Sequence, residues 1–129
     1  MNHDRSSLRI LVVDDEADIR KTMSRFLLQA GYQVTLASNG REGVRAVQDG
    51  FRGLIFMDIM MPNQDGFESI RTLRQEFPAA RVIAITGESD MIGILNYLDV
   101  ATMLGACRTF QKPFELADLI EAVRTELAS

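Results

Sequence analysis

Tryptophan is absent from this chain, and cysteine and histidine each occur once. With Cys107 alone, no internal disulfide or multi-cysteine metal site can form, which suits a reducing compartment. Its expected place is that of a small buried residue. His3 lies in a polar opening from Met1 to Ser7, so an internal Ser/His/Asp triad and a histidine-rich metal centre are both excluded. That opening has no signal-peptide core, and no apolar run approaches the length of a bilayer span. A cytoplasmic address without a membrane partner is expected. Blocks of Lys or Arg are also missing. With a formal net charge of −4, direct binding to nucleic acid is disfavoured and protein partners are favoured. Carboxylates are left to carry any nucleophilic or acid-base chemistry.

What is present suits one soluble domain. The 129 residues are 47% hydrophobic and 25% charged, a globular balance, and a chain of this length buries about two thirds of its unfolded surface. Apolar runs at Leu8 to Val13, Val34 to Ala37, Leu54 to Met57 and Val82 to Ile85 lack clean alternation, as strands covered on both faces do. Arg108 to Gln111 is a weaker fifth run. Helical spacing lies between them, from Ile19, Met23, Phe26, Leu27 and Ala30 to Leu116, Leu119, Ile120, Val123 and Leu127. The stretch around Gly43 to Val47 is short and weakly apolar, and Asn96 to Leu104 is only moderately periodic. Gly31, Gly40, Gly50, Gly53, Pro78 and Gly105 mark joints where helices stop and the chain turns. Strictly alternating strands and helices with right-handed crossovers make an α/β, doubly wound, five-stranded parallel sheet with helices on both faces. The domain is expected over 7–127, with 1–6 a disordered or frayed tail.

In such a sheet, ligands bind beyond the carboxyl ends of the strands. Asp14 and Asp15 follow the first strand, Asp58 the third, Thr86 the fourth and Lys112 the fifth. Taken singly, each has an ordinary explanation. Asp14, Asp15 and Glu16 suit a helix start, Asp58 suits the start of a loop, Thr86 can satisfy a backbone group, and Lys112 can neutralise nearby acids. Their convergence is what argues for chemistry. Two unit charges about 4 Å apart repel by roughly 4 kcal/mol at an effective dielectric near 20, a cost that a divalent cation would offset. A hydroxyl donor and an ammonium at the same edge suit a phosphoryl group.

These residues also carry a resemblance. The run from Ile10 through Asp14 and Asp15 to Glu16, then Met57-Asp58-Ile59-Met60-Met61-Pro62 with Asp65-Gly66, then Ile85-Thr86, then Lys112-Pro113-Phe114, resemble the receiver domain of two-component response regulators. The resemblance covers nearly the whole chain. It implies a flavodoxin-like strand order of 2-1-3-4-5. It implies that Asp58 accepts a phosphoryl group from a phosphohistidine on a sensor histidine kinase or histidine phosphotransfer protein, in a reaction dependent on Mg²⁺. Asp15 and Asp58 then coordinate Mg²⁺ directly, Asp14 directly or through water, and the main-chain carbonyl of Met60 completes the protein's share. Lys112 contacts the phosphoryl oxygens, Thr86 hydrogen-bonds one of them, and the Lys112-Pro113 bond is expected to be cis. Such a domain catalyses its own phosphorylation and dephosphorylation without being a turnover enzyme. Its signal passes to a downstream protein, or onward in a phosphorelay, through the face made by the last strand and its flanking helices.

Two departures from the family pattern stand out. The position three before the lysine is commonly aromatic and coupled to the threonine, but here it is Thr109. Neighbouring strand residues face opposite sides, so Phe110 does not substitute. The stretch 87–94 lengthens the connection from Thr86 to Lys112, and Met91, Ile92 and Ile94 either fold back on the next helix or meet a partner. The chain ends soon after the last helix, which gives the expectation of a stand-alone receiver. Two other readings stay open: an Mg²⁺-dependent aspartyl-phosphate phosphatase or phosphotransferase acting on small substrates, and a receiver-like scaffold that is never phosphorylated.

Overall fold

The computed structural model describes residues 9–59, 65–86 and 105–128. Five strands, β1 (Arg9–Val13), β2 (Gln33–Ala37), β3 (Leu54–Asp58), β4 (Arg81–Thr86) and β5 (Arg108–Gln111), form one parallel sheet in the order β2-β1-β3-β4-β5. The helices among the described residues are α1 (Ala17–Gln29), α2 (Gly40–Gln48), α3 (Asp65–Glu76) and α4 (Leu116–Ala128). The doubly wound architecture and its strand order are as expected. Among the described residues, no helix is long and apolar enough to cross a membrane.

The central strands β1, β3 and β4 are buried on both faces, and this is why their sequences read as continuous apolar runs. Alternate residues feed two cores. Ile10, Val12, Leu54, Phe56, Ile83 and Ile85 pack against Met23 and Leu27 of α1 and Leu119, Ala122 and Val123 of α4. Leu11, Val13, Ile55, Met57, Val82 and Ala84 pack with Val47 of α2 and Ile70 and Leu73 of α3. Each fully buried Val, Leu, Ile or Phe contributes about 1.5–3 kcal/mol, so the sheet's centre dominates stability.

The weakly apolar second helix forms because it is well capped. The Asn39 side chain accepts from the Glu42 amide at 2.8 Å, and the Glu42 carboxylate accepts from the Ser38 amide at 2.8 Å. Gly40 is the first residue of this helix rather than a turn.

Cys107 corrects an expectation, because it is exposed. It lies at the bend before β5, its amide bonded to the Val82 carbonyl at 2.8 Å, at the edge of the sheet rather than within a core. Desolvation, and then the Glu126 carboxylate, push its thiol up to about 11. The tail 1–6, Met60, the 87–94 stretch with Met91, Ile92 and Ile94, and the helix expected near Asn96 to Leu104 lie outside the described residues.

Candidate functional site

The parallel registers bring the named side chains to one sheet edge. Val13 pairs with Met57, so Asp14 emerges beside Asp58, the last residue of β3. Asp58 pairs with Ile85, and the next amide, of Ile59, donates to the Ile85 carbonyl at 2.8 Å. Thr86 pairs with Gln111, and the Lys112 amide donates to the Thr86 carbonyl at 2.7 Å. Carboxylate oxygens from Asp14, Asp15, Glu16 and Asp58 all lie within 4.8 Å of one another. Asp14 and Asp58 are buried, at 0% and 2% exposure, while Asp15 and Glu16 are exposed.

Lys112 holds this cluster together. Its ammonium lies 2.9 Å from Asp14 Oδ2, 3.4 Å from Asp58 Oδ2 and 3.4 Å from Glu16 Oε1. Burial of the ammonium opposes its charge. The hydrogen bond to Asp14 and the charges of Asp58, Asp14 and Glu16 outweigh that desolvation, so the lysine is held above its ordinary value. It is therefore a cation at neutral pH and the counter-charge to two buried carboxylates.

The backbone around Asp14 is equally constrained. Its Oδ1 accepts from the Glu16 amide at 2.9 Å, and its main-chain carbonyl accepts from Arg20 at 2.6 Å. Thr86 presents the opposite situation. It is 0% exposed, and its hydroxyl has no hydrogen-bond partner among the described residues. A buried hydroxyl left without a partner costs about 1–3 kcal/mol, and a ligand offering an acceptor would recover that cost.

The donor set suits a hard divalent cation. It consists of carboxylate oxygens alone, from residues two of which are exposed, and a cation bound among them would relieve repulsion that Lys112 now offsets. The Met60 carbonyl lies outside the described residues. Gly66, at the start of α3, approaches the end of β3 closely. A Cβ there would lie against the Asp58 carbonyl oxygen and 2.7 Å from Ile59 Cα.

The Lys112-Pro113 peptide is cis, as expected. Phe110 packs with the α1 and α4 core and meets Phe114 at 5.6 Å between ring centroids. It stands on the face opposite that of Thr109, as the alternation required. Beside Lys112 an apolar groove of about 490 Å³ runs between α1 and the β5–α4 connection, lined by Ile19, Thr22, Met23, Pro113 and Phe114.

Asp14, Asp15, Asp58, Thr86 and Lys112 are thus brought together. Sequence reasoning did not single out Glu16 as a partner of Lys112, nor Arg20. The signal for Glu16 was its place in the acidic triplet. For Arg20 it was a guanidinium one helical turn after that triplet.

Comparison with known proteins agrees with this geometry. The family model described as the response regulator receiver domain matches residues 10–124. The Escherichia coli transcriptional regulatory protein PcoR is 34% identical over 119 residues, covering 92% of this chain and 51% of PcoR. The chain spans about half the length of the curated relatives it matches. A receiver domain protein from Clostridium thermocellum superposes with a TM-score of 0.83 at 29% identity, covering 93% of this chain and 94% of that one. The beryllofluoride-activated NtrC4 receiver domain dimer gives 0.82 at 29% identity, covering 93% and 96%.

Proposed function

Because the chain belongs to the response regulator receiver domain family, the signalling domains of two-component systems, we propose that its switch is the phosphorylation of Asp58. The observation that carries this reading is one sheet edge holding three parts: a buried Asp58, an ammonium 3.4 Å from it, and a buried Thr86 hydroxyl with no hydrogen-bond partner among the described residues.

The donor is a phosphohistidine on a sensor histidine kinase or a histidine phosphotransfer protein. A carboxylate oxygen of Asp58 attacks phosphorus in line. The O–P bond forms as the P–N bond breaks, and the electron pair stays on the departing imidazole nitrogen. Such transfers need positioning and charge stabilisation more than covalent help. Lys112 turns from the carboxylates to the phosphoryl oxygens, and the Thr86 hydroxyl donates to one of them. The apolar groove beside Lys112 gives the donor protein a foothold next to the acceptor.

Asp15, Asp58 and Asp14 would hold Mg²⁺ through their carboxylates, with the main-chain carbonyl of Met60, which lies outside the described residues, as the expected further ligand. When bound, Mg²⁺ neutralises charge on the phosphoryl oxygens. The added charge of about −1.5 to −2 then draws Thr86 inward, and partner proteins read the change. Acceptance of beryllofluoride by the similar NtrC4 receiver supports the reading. The same site makes the domain catalyse its own phosphorylation and dephosphorylation. We place it in the cytoplasm and, from its net charge, assign it protein rather than nucleic-acid partners. The relatives named as transcriptional regulators are about twice as long.

Incubation with Mg²⁺ and a small acyl phosphate is expected to add one acid-labile phosphoryl group to wild type and none to Asp58→Asn. Multiple turnover on small phosphomonoesters would instead point to a phosphatase.

A further inference from the structure

Every polar group of Asp14 is engaged. Its amide donates to the Ala37 carbonyl at 3.2 Å, its Oδ1 accepts from the Glu16 amide at 2.9 Å, and its Oδ2 accepts from Lys112 at 2.9 Å. The remaining acceptor, the main-chain carbonyl, receives the Arg20 guanidinium at 2.6 Å. Arg20 has no part in the phosphoryl chemistry above.

We propose that Arg20 is a positioning residue for the metal site, holding the Asp14-Asp15 peptide so that the Asp15 carboxylate stands where a cation can use it. The peptide unit is planar, so fixing the Asp14 carbonyl also fixes the Asp15 amide and Cα. Asp15 is exposed, and core packing does not hold it. Its placement comes from the backbone.

Arg20 is itself anchored. Its amide donates to the Glu16 carbonyl at 3.1 Å in the first turn of α1. Its charge also reaches Glu42, whose carboxyl is held below its ordinary value first by hydrogen bonds from Ser38 and then by the charges of Arg20 and Arg45. The guanidinium thus lies on α1 with its hydrogen bond directed back to the loop after β1. Partners of this kind, one step removed from a metal, orient its ligands.

This inference rests on the metal reading, and the sign of one effect tests it. By Coulomb's law alone, removing a cation beside an acidic cluster tightens the binding of another cation. Loss of a positioning residue weakens it. Mg²⁺ affinity is measured by calorimetry for wild type, Arg20→Met, Arg20→Lys and Lys21→Ala, with melting temperatures recorded in EDTA. Lys21 is exposed on the same helix, so its removal is the charge control. Arg20→Met is expected to bind Mg²⁺ about tenfold more weakly. Lys21→Ala is expected to bind as wild type or slightly tighter. Arg20→Lys keeps the charge without the planar fork and is expected to lose about two- to threefold. The Mg²⁺ concentration for half-maximal phosphorylation by an acyl phosphate should rise in Arg20→Met, with the rate at saturating Mg²⁺ close to wild type. Affinity in Arg20→Met equal to or tighter than wild type overturns the inference and leaves the metal reading intact. If Arg20→Met is unfolded in EDTA, wild-type affinity in Arg20→Lys overturns it. Wild type that binds no Mg²⁺ undoes the metal reading and this inference with it.

Discussion

Lys112 Nζ lies 2.9 Å from Asp14 Oδ2, joining the ends of the fifth and first strands across 98 positions of sequence. The contact offsets part of the site's negative charge within the chain itself. It also sets the terms on which a cation or a phosphoryl group can enter, since either must draw the ammonium or the carboxylates into new pairings.

Lys112→Met leaves two buried carboxylates without their counter-charge. Breaking a buried pair on one side costs about 3 kcal/mol, and urea unfolding in EDTA is expected to show a loss of that order. Mg²⁺ should stabilise the variant more than wild type. The pH dependence follows from the raised lysine. Folded Lys112 holds its proton more tightly than the unfolded residue, so its contribution is complete below the unfolded value of about 10.4 and is lost as pH rises through the folded one. The stability difference between wild type and Lys112→Met should be flat from about pH 6 to about pH 9 and shrink above about 10.4. A difference that changes across the neutral range would contradict this.

Thr86→Val replaces a buried hydroxyl, without a hydrogen-bond partner among the described residues, with a methyl of similar size. Without ligand, the variant should be as stable as wild type or gain up to about 1–2 kcal/mol. With Mg²⁺ and beryllofluoride the order should reverse, because only threonine offers a donor to the mimic. Thermal melts in the two conditions read both signs.

Gly66→Ala forces a methyl against the Asp58 carbonyl and Ile59 Cα. Backbone shifts of this kind cost about 1–3 kcal/mol. Since the strand end that moves carries Asp58, the proposed acceptor, phosphorylation by an acyl phosphate should slow even where the variant is fully folded. A folded variant with the wild-type rate would show that this close approach does not position Asp58.

Phe110→Ala removes a half-buried ring from the α1 and α4 core and its contact with Phe114. A loss of about 2–3 kcal/mol is expected, somewhat below the usual cost for a fully buried phenylalanine. The intrinsic phosphorylation rate should change little, because the ring lies on the face away from Thr109. A large rate effect at unchanged stability would instead make Phe110 part of the switch.

The fold was legible where burial is two-sided. Leu54 to Met57 and Val82 to Ile85 are apolar throughout because helices cover both faces, and only the polar strand ends, Gln33, Asp58, Arg81 and Thr86, escaped the apolar runs. The second helix was hard to read because Arg41, Glu42, Arg45 and Gln48 dilute its apolar face. Its formation depends on the Asn39–Glu42 cap, which spacing reveals only when side-chain hydrogen bonds are considered. For the site, the residue types and order pointed to Asp14, Asp15, Asp58, Thr86 and Lys112. Arg20 was harder to read, because it acts on a main-chain carbonyl, and its only mark in the sequence is a guanidinium one helical turn after the acidic triplet. Cys107 was misjudged because residue type predicts average burial, whereas its exposure comes from a bend at the sheet's edge.

The most direct measurement is to locate the modification. Wild type and Asp58→Asn are treated with Mg²⁺ and an acyl phosphate, the acyl phosphate on the protein is trapped by borohydride reduction, and the peptides are read by mass spectrometry. The account predicts that Asp58 alone is converted, only with Mg²⁺ present, and that the variant yields no trapped product. Equal trapping in Asp58→Asn, or conversion centred on Asp14 or Asp15, would contradict it.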